Sequence, residues 1–188
     1  MEKIAFIVER LNLPPFNKNI ITMTEMDSKS SIELLDLLCE IIIAIDSDQE
    51  VIKREAADAK ISRILHFLSV MKFNVPGDRQ EDFQTMLING DKEILHSVIH
   101  WSLSKFDHLQ KRAYLAKYLL PIDIPSEFLG DDLVVELSQR LKELQLQFKD
   151  IHKSYEQIRG SGKNNYYYYN TIASVFFLNF RFSIIKRY

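Results

Sequence analysis

The chain has 188 residues, 46% of them hydrophobic, with only five Gly and five Pro. That is enough apolar material for one packed domain plus an appendage, and it excludes a disordered or collagenous chain. The single cysteine, Cys39, excludes an internal disulfide, and a net charge of −2 gives no overall basic excess that would call for a nucleic-acid partner.

The apolar residues are mainly Leu, Ile and Phe at helical spacing, so the predicted fold class is all-α. Residues 1–12 read as a short helix with Ile4, Ile7, Val8 and Leu11 on one face, ended by Pro14-Pro15. Glu2, Glu9 and Arg10 interrupt this segment, so it lacks the pattern of a signal peptide, and a cytoplasmic protein is expected. Ser30 and Ser31 precede an apolar run, Ile32–Ile45, that predicts a buried helix holding Cys39 as a small core hydrophobe; Ser47 and Asp48 fall in the loop after it. A helix is predicted over about 55–73, with Ile61, Ile64, Leu65 and Leu68 inward. Val75–Asp78 (VPGD) reads as a turn. A helix over about 80–88 stops at Asn89-Gly90, Asp91 caps the next to about Phe106, and Asp107 caps another that Pro121 and Pro125 break.

From Leu137 the apolar positions are Leu137, Leu141, Leu144, Phe148, Ile151, Tyr155 and Ile158. Their alternating spacings of four and three predict either the start of a coiled coil or an amphipathic helix packed on its own domain. Residues 160–188 do not match what precedes them. They hold no acid, and 17 of the last 25 residues are Phe, Tyr, Asn, Ile or Lys. That bias is what translating an AT-rich non-coding stretch gives, so a gene-model artefact is expected here; a short membrane-surface tail is the alternative. The apolar run is too short for a span and contains Arg181, so no integral membrane segment is expected.

Motifs for chemistry are weak. His96 and His100 share the four-residue spacing of a zinc-protease helix, but Ser97 stands where its glutamate would be and no third ligand is near. Gly160–Lys163 (GSGK) resembles a phosphate loop, yet Gln157 and Asn164 replace its first glycine and its hydroxyl residue, and no strand precedes it. No nucleophile–base set stands out. No enzyme, cofactor or metal is expected.

Charge is uneven. Residues 1–59 carry a net −6, residues 60–117 a net +3 and residues 118–159 a net −3. The basic middle contains HLQKRAYLAKYLL (108–120). There Leu109, Ala113, Ala116 and Leu120 share one helical face. Lys111 lies opposite, beside Tyr114 and Tyr118, and Arg112 and Lys117 lie on the two flanks. A solvated rim and an anion-binding patch both fit, and Lys72 is a candidate to complete a patch.

The pair LQKRAYLAKYL and IPSEFLGDD, with HSVIHWSL and HFLSVMKF upstream and IAFIVERLNLPPFNKN at the start, resembles the N-terminal part of the intraflagellar transport 81 family. The resemblance runs from residue 3 to about 159. It implies a divergent calponin-homology domain over residues 1–126, then a coiled-coil helix over 127–159. It implies a non-enzymatic ciliary transport subunit of the IFT-B complex, present at the cilium or flagellum, basal body and cytoplasm. The implied partners are tubulin, held as cargo, intraflagellar transport protein 74 through the coiled coil, and other IFT-B subunits. The family's tubulin-binding positions fall on Lys72, Lys111 and Arg112, and less directly on Lys117. Two family cations are absent, at Asn74 and Gln84, for which Arg79 and Lys92 are possible substitutes. Trp101 matches a core position. A structural adaptor without tubulin binding is the alternative function.

Overall fold

The computed structural model describes residues 2–75 and 82–160. Helices are their regular structure, joined by turns and irregular segments, with no strand among them. The VPGD turn lies almost wholly outside the described residues, as do Arg79, the GSGK motif after Gly160 and the tail.

Residues up to Leu120 form one compact unit. Its α-helices are α1 (Glu2–Asn12), α2 (Met23–Ser28), α3 (Ser31–Ile45), α4 (Ala57–Val70), α5 (Phe83–Ile88), α6 (Lys92–Ser104) and α7 (Phe106–Leu119). A 3-10 helix, Ser47–Arg54, stands where a loop was expected. The all-α class is as predicted. α2 was not, although Thr22 caps it through a bond accepted from the Glu25 N–H.

α3 is the hub. Ser30 accepts from the Glu33 N–H while the Glu33 carboxylate accepts from the Ser30 N–H and hydroxyl, a reciprocal capping box. The same bonds hold the Glu33 carboxyl below its ordinary 4.5. Leu34, Leu38, Ile41 and Ile42 of this helix are fully buried, each worth roughly 1.5–3 kcal/mol. α6 packs along it and buries Leu95, Val98 and Ile99, and α1 packs on α6 and buries Ile7 and Leu11. Cys39 is buried as expected, and burial pushes its thiol up to about 11, where no thiolate forms at neutral pH.

α7 differs from the sequence reading at both ends. Asp107 does not cap α7: it lies in the first turn, and the residue at the cap, Lys105, makes no side-chain bond there. Leu120 does not join the buried face of α7. The helix ends at Leu119, so the chain turns extended at Leu120, which is 44% exposed. Phe106, Leu109 and Ala113 carry the burial, and Ala116 is half-buried.

From Pro121 a second unit begins. Its main element is α8 (Asp132–Gly160), 29 residues long, about 44 Å at 1.5 Å per residue. Along the predicted seam, Leu141, Leu144, Ile151 and Tyr155 are half-buried and Phe148 is buried, while Leu137 is exposed.

Candidate functional site

The basic residues of the sequence reading are placed by helix ends. α4 stops in a Schellman turn: Phe73 N–H donates to Leu68 C=O at 2.9 Å and Lys72 N–H to Ser69 C=O at 3.0 Å. This puts Lys72 in the left-handed conformation, φ 57°. Glycine is the usual occupant there, because a Cβ costs about 1 kcal/mol or more. The next residue, Phe73, secures the turn. Its ring meets Trp101 edge-on at 4.9 Å and lies 5.5 Å from Phe83. Trp101 thus packs against the core, as the resemblance implied.

α7 crosses the end of α4. Arg112 donates from Nε to the Val70 carbonyl at 2.8 Å, satisfying one of the unpaired carbonyls of a helix C-terminus with a cation that also suits the dipole. The neighbouring Lys111 is exposed. Lys72 follows Val70 by two residues, so at this corner its backbone lies close to the Arg112–Val70 bond, and Lys111 is the sequence neighbour of Arg112. A groove of about 480 Å³ opens beside them, lined by Val70, His108, Lys111, Arg112, Leu115 and Leu119, among others. Its apolar members were missed in the sequence, although the spacing 108, 111/112, 115, 119 is a second helical stripe.

Lys117 goes elsewhere. On the other flank of α7 it pairs with Asp48 at 2.9 Å and Asp46 at 3.3 Å. Partial burial alone would lower its pKa; the hydrogen bonds to Asp48 and Asp46 outweigh this and raise it. Asp46 is 8% exposed and caps the 3-10 helix, so Lys117 ties α7 to the C-terminal end of α3. Gln110 reinforces this by donating to the Ala44 carbonyl at 2.9 Å.

Lys92 starts α6 at the opposite end of α3. Two residues before it, the Gly90 carbonyl accepts from Ser31 Oγ, and the charge of Lys92 acts on Glu33. Residues 31 and 44 of one helix lie about 20 Å apart, so Lys92 does not join the corner. Asn74 and Gln84 are exposed.

His96 is buried and His100 half-buried, both turned toward α1, with the His100 ring 4.9 Å from Phe6. Among the described residues no group of three potential metal ligands forms, and no helix is long and apolar enough to cross a membrane.

Residues 2–123 of this all-helical chain match the model of a calponin homology domain. The chain belongs to the intraflagellar transport 81 calponin homology domain family. It is 37% identical over 164 residues to the intraflagellar transport protein 81 homolog of Rattus norvegicus, covering 86% of this chain and 24% of the relative. It is 30% identical over 176 residues to intraflagellar transport protein 81 of Chlamydomonas reinhardtii, covering 93% of this chain and 26% of that one. The chain therefore spans about a quarter of the length of these relatives. In fold it is similar to one chain of the GTP-bound T. brucei IFT22/74/81 crystal structure, with TM-score 0.70 and 21% identity over 98% of this chain and 42% of that one.

Proposed function

We propose that this chain acts as a non-enzymatic subunit of the intraflagellar transport IFT-B assembly at the cilium or flagellum. In this reading its calponin-homology domain, residues 1–126, binds tubulin as cargo for cilium assembly. The observation that carries the tubulin reading is the corner itself. Lys72 holds a backbone position that favours glycine, beside Arg112 and Lys111. A non-glycine residue kept at φ 57° points to a use for its side chain. An acidic partner such as tubulin meets local cations in a unit whose remaining charges are net acidic. Exposed charge pairs contribute about 0–1 kcal/mol each, so the domain alone binds weakly, and binding weakens with salt.

α8 supplies the second contact in this reading. Its four-three stripe starts a coiled coil with intraflagellar transport protein 74, a pairing that the IFT22/74/81 assembly of the structural relative supports for this chain.

The adaptor alternative is favoured by one observation: Lys117, the fourth position carried by the resemblance, is taken up by Asp46 and Asp48. A titration of the chain against unpolymerised tubulin at low and raised salt decides between the two. The variant to compare is Lys72→Gly/Lys111→Ala, which spares the structural bond of Arg112. Salt-sensitive binding that weakens about tenfold in the variant supports cargo binding. No binding by the folded wild-type chain leaves the adaptor reading.

A further inference from the structure

The groove along α7 is more than the gap between two helices. His108, Arg112, Leu115 and Leu119 follow each other at three- and four-residue steps, so one face of α7 forms its floor, with Val70 of α4 as a wall. This face is separate from the buried face of Phe106, Leu109 and Ala113. Leu115 and Leu119 are only half-buried. The volume, about 480 Å³, falls within the range of clefts that accept small ligands and anchoring side chains, roughly 300–1,000 Å³.

The mouth of the groove is one-signed. Lys111, Arg112 and His108 line it, and among the described residues no acidic one does. Arg112 is the organised member. Its Nε is committed to the Val70 carbonyl, which fixes the plane of the guanidinium. Its Nη nitrogens have no protein partner among the described residues. A guanidinium held in one orientation binds a carboxylate with less ordering cost than a mobile lysine.

We propose that this groove receives a short acidic segment of a protein partner, with an apolar side chain seated between Leu115, Leu119 and Val70 and a flanking carboxylate on Arg112. The inference rests on the reading of this corner as a partner-binding face and deepens it. A purely electrostatic corner requires only acid from its partner, whereas this groove requires an acid next to an apolar anchor. Part of the affinity then survives salt, because screening weakens the charge pairs and leaves apolar burial intact.

The test uses the whole chain and two fluorescein-labelled synthetic peptides of Glu and Gly, one with a central Leu and the other with Ser in its place. The Leu peptide is expected to bind about tenfold more tightly than the Ser peptide, with the ratio maintained at raised salt. Leu119→Asn is expected to erase the ratio, and Leu119→Met to keep it. The comparison of peptides on the wild-type chain stands even where Leu119→Asn fails to fold. Equal binding of the two peptides, or binding of neither, overturns the groove. Titrating unpolymerised tubulin alongside separates the two readings. If tubulin binds while the peptides do not discriminate, the groove falls and the cationic corner stands; if the peptides discriminate and tubulin does not bind, the groove stands and tubulin is not its partner.

Discussion

Two helices of this domain stop in the same way with different residues. α4 ends in the Schellman bonds of Phe73 and Lys72, and α5 ends in the equivalent bonds, Asp91 N–H to Met86 C=O at 2.9 Å and Gly90 N–H to Leu87 C=O at 3.1 Å. The left-handed residue is Lys72 in one and Gly90 in the other, at φ 57° and 68°. At Gly90 the space settles the choice: an added Cβ would lie 2.9 Å from Ser31 Cβ. At Lys72 the side chain is exposed, and only backbone preference argues for glycine. One stop thus serves packing, whereas the other carries an exposed charged side chain where backbone preference favours glycine.

Substituting both stops tests that contrast. Gly90→Ala is expected to lose about 2–4 kcal/mol, combining left-handed strain with overpacking against α3. Lys72→Gly is expected to change stability in the opposite direction, gaining about 1 kcal/mol by relieving the same strain. Urea unfolding reads both. A Lys72→Gly variant that loses stability would mean that the lysine side chain contributes to the fold, and the argument for its functional use would fail.

The two flanks of α7 extend the comparison. Arg112 bonds a neutral carbonyl and keeps its full charge, while Lys117 is neutralised by two carboxylates. Lys117→Met is expected to cost about 1 kcal/mol of stability, because it leaves the nearly buried Asp46 without its cation. The same substitution leaves tubulin binding unchanged within about twofold. A matching titration checks this, and a large binding loss would return Lys117 to the partner face.

Much of the fold was legible because helix stops and starts are local chemistry. Ser30, Asn89-Gly90 and Asp91 each act within a few residues, and each lies at the helix start or stop where the sequence placed it. Asp107 failed because the preceding break is a single residue, Lys105, which starts α7 one residue before it. The position of Leu120 failed because helical angles say nothing past the last helical residue. The candidate site was legible only in part. The flanks of α7 could be assigned from periodicity, but what each flank meets is set by residues 42 positions away for Arg112 and about 70 for Lys117. Only the packing of α7 across the ends of α3 and α4 brings them together. The apolar groove was hidden because Leu115 and Leu119 alternate with cations, and the eye follows charge.

The smallest expected effect concerns a polar group that, unlike Lys117, has no hydrogen-bond partner among the described residues. His96 Nε2 is buried at the α1–α6 contact with no protein hydrogen bond. Burial holds its pKa below the ordinary 6.5; Asp27 of α2 opposes that shift, and Lys92 and Lys3 of α6 and α1 reinforce it. Glu2 and Glu93 line the same cleft. His100 is lowered too, by burial and then by Lys3. The unfolded chain therefore binds protons that the folded chain resists, so stability is greatest above pH 6.5 and falls as pH drops below it toward the depressed folded values. The capping carboxylate Glu33 and the Arg63-bonded Glu55 have lowered pKa values and add their own loss only below their ordinary 4.5. The urea midpoint is expected to decline between about pH 6.5 and 5 in the wild-type chain, and His96→Leu is expected to flatten most of that decline. The apolar replacement removes the titrating group without leaving a buried donor or acceptor unpaired. An unchanged slope in His96→Leu would assign the decline to other groups and show that α1 stays docked whether or not His96 is charged.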